Sequence, residues 1–79
     1  MNKITLSGGA EDTLYGLFWF GPRETGEVAS KGGEFELFKL GFCSRQNLTK
    51  SPKGKDTHLC VLTTAGYEYA FEKYVMEHN

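Results

Sequence analysis

Four residues have side chains that bind transition metals well: Cys43, His58, Cys60 and His78. They are the whole Cys and His content of the chain, and thiolate and imidazole are ligands that zinc prefers. Their spacing is not that of a zinc site. There is no C-x2-C or H-x3-H pair, and His78 stands one residue from the end. His58 and Cys60, two apart on a strand, would share a face. The expectation is two small thiols on neighbouring strands, two surface histidines, and no metal or cofactor. A second set of residues has a different chemistry. Arg45, Lys50, Lys53 and Lys55 crowd segment 43–58 against Asp56 alone, with Gln46, Asn47, Thr49 and Ser51 among them. Cations and hydrogen-bonding side chains at that density suit the oxygens of a phosphate backbone. The bland alternative is a solvated hairpin tip.

The remainder of the chain leans acidic. Segment 24–39 sets Glu24, Glu27, Glu34 and Glu36 against Lys31 and Lys39, and segment 64–79 sets Glu68, Glu72 and Glu77 against Lys73. A chain of net charge -1 thus carries one basic strip on an acidic body. No arrangement suits catalysis. Ser30, Ser44 and Ser51 lack His and Asp partners, and Gly32-Gly33 is not a phosphate loop. A chain of 79 residues also has little room for a concave active site. The expectation is one domain, 1–79, that is not an enzyme and takes no small-molecule substrate.

Six Phe, four Tyr and one Trp give this short chain enough bulk for one core. The N-terminus has no signal-like apolar run, and no segment approaches the roughly 20 residues of a membrane span. Reduced thiols and a cytoplasmic location, with no membrane partner, are the default expectation.

The elements that must position the basic strip follow from periodicity and punctuation. Met1–Leu6 reads as a short strand or extended lead-in. Glu11–Phe20 reads as a helix with Leu14, Leu17 and Phe18 inward, Ser7 or Gly9 as its cap, and Gly21-Pro22 as its stop. Tyr15, Trp19 and Phe20 widen its apolar arc, so either most sides are buried or an aromatic edge is left for a partner. Thr25–Ser30 reads as a short second helix with Val28 and Ala29 inward. Lys31-Gly32-Gly33 reads as a turn, because paired glycines weaken a helix. Glu34–Leu40 reads as a third helix capped by Gly41, with Phe42 packing back on it. Phe42–Leu48 and Thr57–Leu62 read as antiparallel strands joined by a basic tip, TKSPKGKD. Thr63 and Thr64 then cap a final helix from about Ala65, with an apolar stripe at Tyr67, Ala70, Phe71, Tyr74 and Val75.

The order of these elements resembles the winged-helix branch of the helix-turn-helix family. The residues that carry the resemblance are Leu17 to Pro22, Gly26-Glu27-Val28-Ala29, Leu37 to Phe42, and Leu62-Thr63-x-x-Gly66 after the hairpin. It covers nearly the whole chain from residue 10 onward. It implies an α+β fold of three helices, a β-hairpin wing and a C-terminal helix. It also implies a small DNA-binding, transcription-regulatory protein that contacts double-stranded DNA mainly through the wing. The contacts would be Arg45, Lys50, Lys53 and Lys55, with Lys31, Lys39 and Arg23 as supports. The chain departs from the pattern in its short third helix, which carries Glu34 and Glu36 and only Lys39 as a cation. Carboxylates facing phosphates cost affinity. The alternative is therefore a protein-interaction adaptor on the same scaffold. It would use that acidic helix and the aromatic helices, as a homodimer or with another protein, and would not bind DNA. A phage or mobile-element accessory role is compatible with the small size.

Overall fold

The computed structural model describes residues 4–48 and 57–77. They form three α-helices and a three-stranded antiparallel sheet, an α+β fold. The helices are α1 (Gly8–Phe20), α2 (Lys31–Lys39) and α3 (Thr64–Phe71). The strands are β1 (Arg23–Glu24), β2 (Cys43–Leu48) and β3 (Thr57–Leu62), in the order β1-β3-β2. The expected hairpin is present, with Cys43 opposite Leu62, Arg45 opposite Cys60 and Leu48 opposite Thr57. Its tip, residues 49–56, lies outside the described residues.

Each helix begins at a hydroxyl. Ser7 accepts from the Ala10 amide at 3.2 Å, Ser30 from Gly33 at 3.0 Å and Thr63 from Gly66 at 3.0 Å. These bonds satisfy first-turn amides that have no partner within the helix. The α2 stop is the expected one. Gly41 takes a positive φ of 78°, and the Phe42 amide reaches back to the Leu37 carbonyl at 2.9 Å. Phe42 is buried there and stacks on Tyr69, with ring centroids 4.8 Å apart.

Several expectations are corrected. The second helix is a single 3-10 turn, Thr25–Glu27, and Ala29 is exposed rather than inward. A two-residue strand precedes it: β1 pairs Arg23 with Cys60 and Glu24 with Leu59, along the free edge of β3. The third helix starts at Lys31, so Gly32-Gly33 is helical and not a turn. Gly33 is tolerated there because α1 passes against its backbone: a Cβ at Gly33 would overlap Gly9 and come within 2.6 Å of the Ala10 nitrogen. The final helix is α-helical only to Phe71. It continues as a π-helical turn, Glu72–Met76.

That last helix keeps Ala70 and Tyr74 of the expected stripe inward but turns Tyr67 and Phe71 out. Gly66 and Ala70 are buried, while Tyr67 and Phe71 are exposed. Two tyrosines set the rotation. Tyr69 donates to the Ile4 carbonyl at 3.1 Å, and Tyr74 donates to the Glu11 carbonyl at 3.3 Å. Each ring packs on the core while its hydroxyl finds a backbone acceptor. The core itself comprises Leu6, Ala10, Leu14, Leu17, Leu37, Phe42, Cys43, Cys60 and Ala70.

One cap joins two helices. Glu36 on α2 accepts from the Ser7 amide at 3.0 Å and from its hydroxyl at 2.7 Å, while Ser7 caps α1. This is the reciprocal logic of a capping box, with the carboxylate supplied by the neighbouring helix. The Ser7 amide, and then its hydroxyl, hold the Glu36 carboxyl below the usual range. A depressed folded pKa gives stability that is present above the unfolded value, about 4.3, and is lost as pH falls through the folded one. Glu36→Gln is therefore expected to lose less stability than wild type between about pH 5 and 3. Urea midpoints measured across that range check this. Parallel profiles on the acid limb would remove Glu36 from the account.

Candidate nucleic-acid interface

The α2 helix decides what a polyanion would meet. Of its two carboxylates, expected to face outward, Glu34 is engaged inside the molecule and Glu36 is bonded at the surface. Glu34 is 2% exposed and lies 3.7 Å from the Arg45 guanidinium. It also stands in the first turn, where the helix dipole favours negative charge. Glu36 is taken up by Ser7.

What remains outward is Lys31, Phe35 and Lys39, all exposed. They are spaced i, i+4 and i+8, which places them along one face. Lys39 Nζ sits 5.2 Å from the centroid of the Phe35 ring, and Phe35 is 61% exposed. A cation over an open aromatic ring suits a polyanion surface twice: the ammonium meets phosphate, and the ring offers a stacking face. Beside this face, the Arg45 guanidinium lies 4.9 Å from the Phe38 ring centroid.

The expected site residues therefore fall into three groups. Lys31 and Lys39 share the α2 face with Phe35, a residue the sequence reading did not select. Its signal was present in the i, i+4, i+8 spacing but required a helix beginning at Lys31. Arg45 on β2 is exposed but committed to Glu34 and Phe38. Arg23 sits on β1 at the far edge of the sheet, with its guanidinium 5.9 Å from the Phe20 ring centroid. Across the sheet, Arg23 and Arg45 flank Cys60 in register, so they bracket β3 rather than join the α2 face. Lys50, Lys53 and Lys55 lie outside the described residues.

The thiols behave as expected in place but not in company. Cys43 and Cys60 are free and buried on neighbouring strands. Cys60 keeps its proton: it bonds to Cys43, it is buried, and the Glu34 carboxylate stands beside it, all pushing its thiol up. Cys43, receiving that bond, is held below the ordinary thiol range. Among the described residues no group of three or more His, Cys, Asp or Glu gathers to hold a metal. His58 is exposed although Cys60 is buried, and His78 lies outside the described residues.

A second surface lies on the opposite helices. Tyr15, Trp19 and Phe20 are exposed, so the aromatic edge of α1 is left open. Phe18 links it to α3, with ring centroids 4.8 Å from Trp19 and 5.2 Å from Tyr67. Among the described residues no helix is long and apolar enough to cross a membrane. No protein-family model, curated protein or solved structure matches this chain, so its site is read from geometry alone.

Proposed function

We propose that this protein binds double-stranded nucleic acid on a winged-helix-like scaffold, gripping the phosphate backbone with α2 and the β2–β3 hairpin. The observation that carries the reading is the division of charge on α2. Glu34 is buried beside Arg45, Glu36 is bonded to Ser7 at the surface, and Lys31, Phe35 and Lys39 are left outside. The objection that an acidic helix would repel DNA is thereby reduced to the one surface carboxylate, Glu36, set against two cations. The element order supports the scaffold: a helix, a short edge strand and turn, a helix closed by Gly41-Phe42, a hairpin, then a capped helix. The hairpin tip supplies Lys50, Lys53 and Lys55 by sequence. Contacts of this kind position a protein on a backbone and carry little sequence information. The role is regulatory or architectural rather than catalytic.

The test is a titration of isotope-labelled protein with a generic duplex at two salt concentrations. Amide shifts confined to Lys31–Lys39 and the hairpin, fading with salt, are expected. Lys31→Ala/Lys39→Ala is expected to lower affinity for every duplex alike. It should also reduce the slope of log K against log salt by about 2. No shifts at low salt would end the proposal. A second reading, a protein-binding adaptor, is favoured by the open aromatic surface of α1 and α3.

A further inference from the structure

The surface of α3 carries a groove of about 570 Å³, lined by Tyr67, Phe71 and Met76 with Glu68 and Glu72. Its floor is apolar and open: Tyr67 is 53%, Phe71 40% and Met76 60% exposed. Large exposed apolar side chains in one place mark an interaction surface. The π-helical turn helps to build it. An ordinary α-turn after Phe71 would keep the i, i+4 spacing of Tyr67 and Phe71. The wider turn instead carries Tyr74 onto α1, with ring centroids 5.3 Å from Tyr15, and leaves Met76 on the groove.

Among the described residues that line the groove, the charge is of one sign. Glu68 and Glu72 are exposed and one turn apart along it. The cation of this segment, Lys73, is turned away, with Nζ 2.7 Å from Glu11 Oε1 on α1. An apolar floor walled by carboxylates fits an occupant of the opposite pattern. We propose that this groove docks a cationic amphipathic helix of a partner protein, with apolar side chains on Phe71 and Met76 and Lys or Arg beside Glu68 and Glu72.

A second copy fits less well. A two-fold pairing of the groove with itself would set Glu68 and Glu72 against like carboxylates. Docking the α2 face of one copy into the groove of the next would be head-to-tail, building rings or filaments that sedimentation would detect. The proposal does not rest on the nucleic-acid reading, because groove and α2 face are different surfaces.

The probe is a Leu/Lys peptide of about 15 residues, patterned as an amphipathic helix, with a Leu/Glu peptide of the same apolar face as control. Binding is followed by amide shifts and by Trp19 emission, since Trp19 borders Phe18 and so the Tyr67 end of the surface. The Leu/Lys peptide is expected to bind saturably and shift Tyr67–Met76, and the control is not. Glu68→Lys/Glu72→Lys is expected to weaken the Leu/Lys peptide about tenfold and admit the control. Both positions are exposed, so the variant is expected to fold. Equal binding of the two peptides, binding of neither, or shifts away from α3 would overturn the proposal. So would concentration-dependent self-association in sedimentation that the double variant abolishes.

Discussion

Replacing Gly66 with alanine is expected to cost about 3 kcal/mol or more, a large share of the stability of a domain this size. The cause is backbone against backbone. A Cβ at Gly66 would overlap the Phe42 carbonyl oxygen and lie 2.8 Å from its carbon. Neither partner can step aside. The same Phe42 oxygen accepts from the Thr63 amide at 2.9 Å, and the Thr63 hydroxyl donates to the Gly41 carbonyl at 2.6 Å while capping α3. Phe42 is held in turn by Leu37. One methyl group would therefore push apart the end of α2, the start of β2 and the start of α3 together. Gly16→Ala is the control. A Cβ there meets nothing within 4 Å, and the position is inside α1. It is expected to gain up to about 1 kcal/mol, the ordinary preference of a helix for Ala over Gly. Urea unfolding of the two variants measures both. A Gly66→Ala protein as stable as wild type would mean that α3 docks on Phe42 less closely than the structure has it.

Gly66 also shows what was legible in the chain. Thr63 as a cap and a helix after it could be read locally, because capping is a matter of residues three apart. The close approach to Phe42 could not, since the two residues meet only in three dimensions. The same division runs through the molecule. The β2–β3 hairpin was legible from the apolar run Leu59–Leu62 and the Pro, Gly and Asp between the strands. The Gly41-Phe42 stop was legible from a local motif. The start of α2 was misread because two glycines argue for a turn until a neighbouring helix needs their bare backbone. The inward face of the last helix was legible only in part, at Ala70 and Tyr74. Tyrosine can bury its ring and still satisfy its hydroxyl, so Tyr69 and not Phe71 faces inward, and the π-turn breaks the 3.6-residue period beyond Phe71. The two-residue β1 has no apolar signal at all; it exists because β3 offers an unpaired edge. In the candidate site, Lys31 and Lys39 were legible as cations. That they align with Phe35 depends on where the helix begins. The inward turn of Glu34 depends on Arg45, a residue on another element.

That pairing yields the last prediction. Arg45→Met is expected to cost about 2–3 kcal/mol, although Arg45 is half exposed and a surface ion pair contributes less than about 1 kcal/mol. The asymmetry lies in Glu34. Its side chain is 2% exposed, and one of its oxygens, Oε2, already has no hydrogen-bond partner. Removing the cation leaves a buried carboxylate with only the helix dipole and the neighbouring Cys60 thiol to compensate it. Methionine retains contact with the Phe38 ring, so lost packing does not confuse the result. The companion variant Arg45→Met/Glu34→Leu removes both charges and is expected to recover most of the loss, since replacing a buried pair by apolar groups is often neutral. The expected order of stability thus places the single variant below both wild type and the double, with a coupling of about 2 kcal/mol. If Arg45→Met alone costs less than about 0.5 kcal/mol, Glu34 is not held by Arg45. The double variant then serves the functional question. It is expected to fold and lacks the Arg45 charge, so its affinity for duplex reports what that guanidinium contributes at the interface. If affinity and salt slope are unchanged, Arg45 serves Glu34 alone, and phosphate contact falls to Lys31, Lys39 and the hairpin tip.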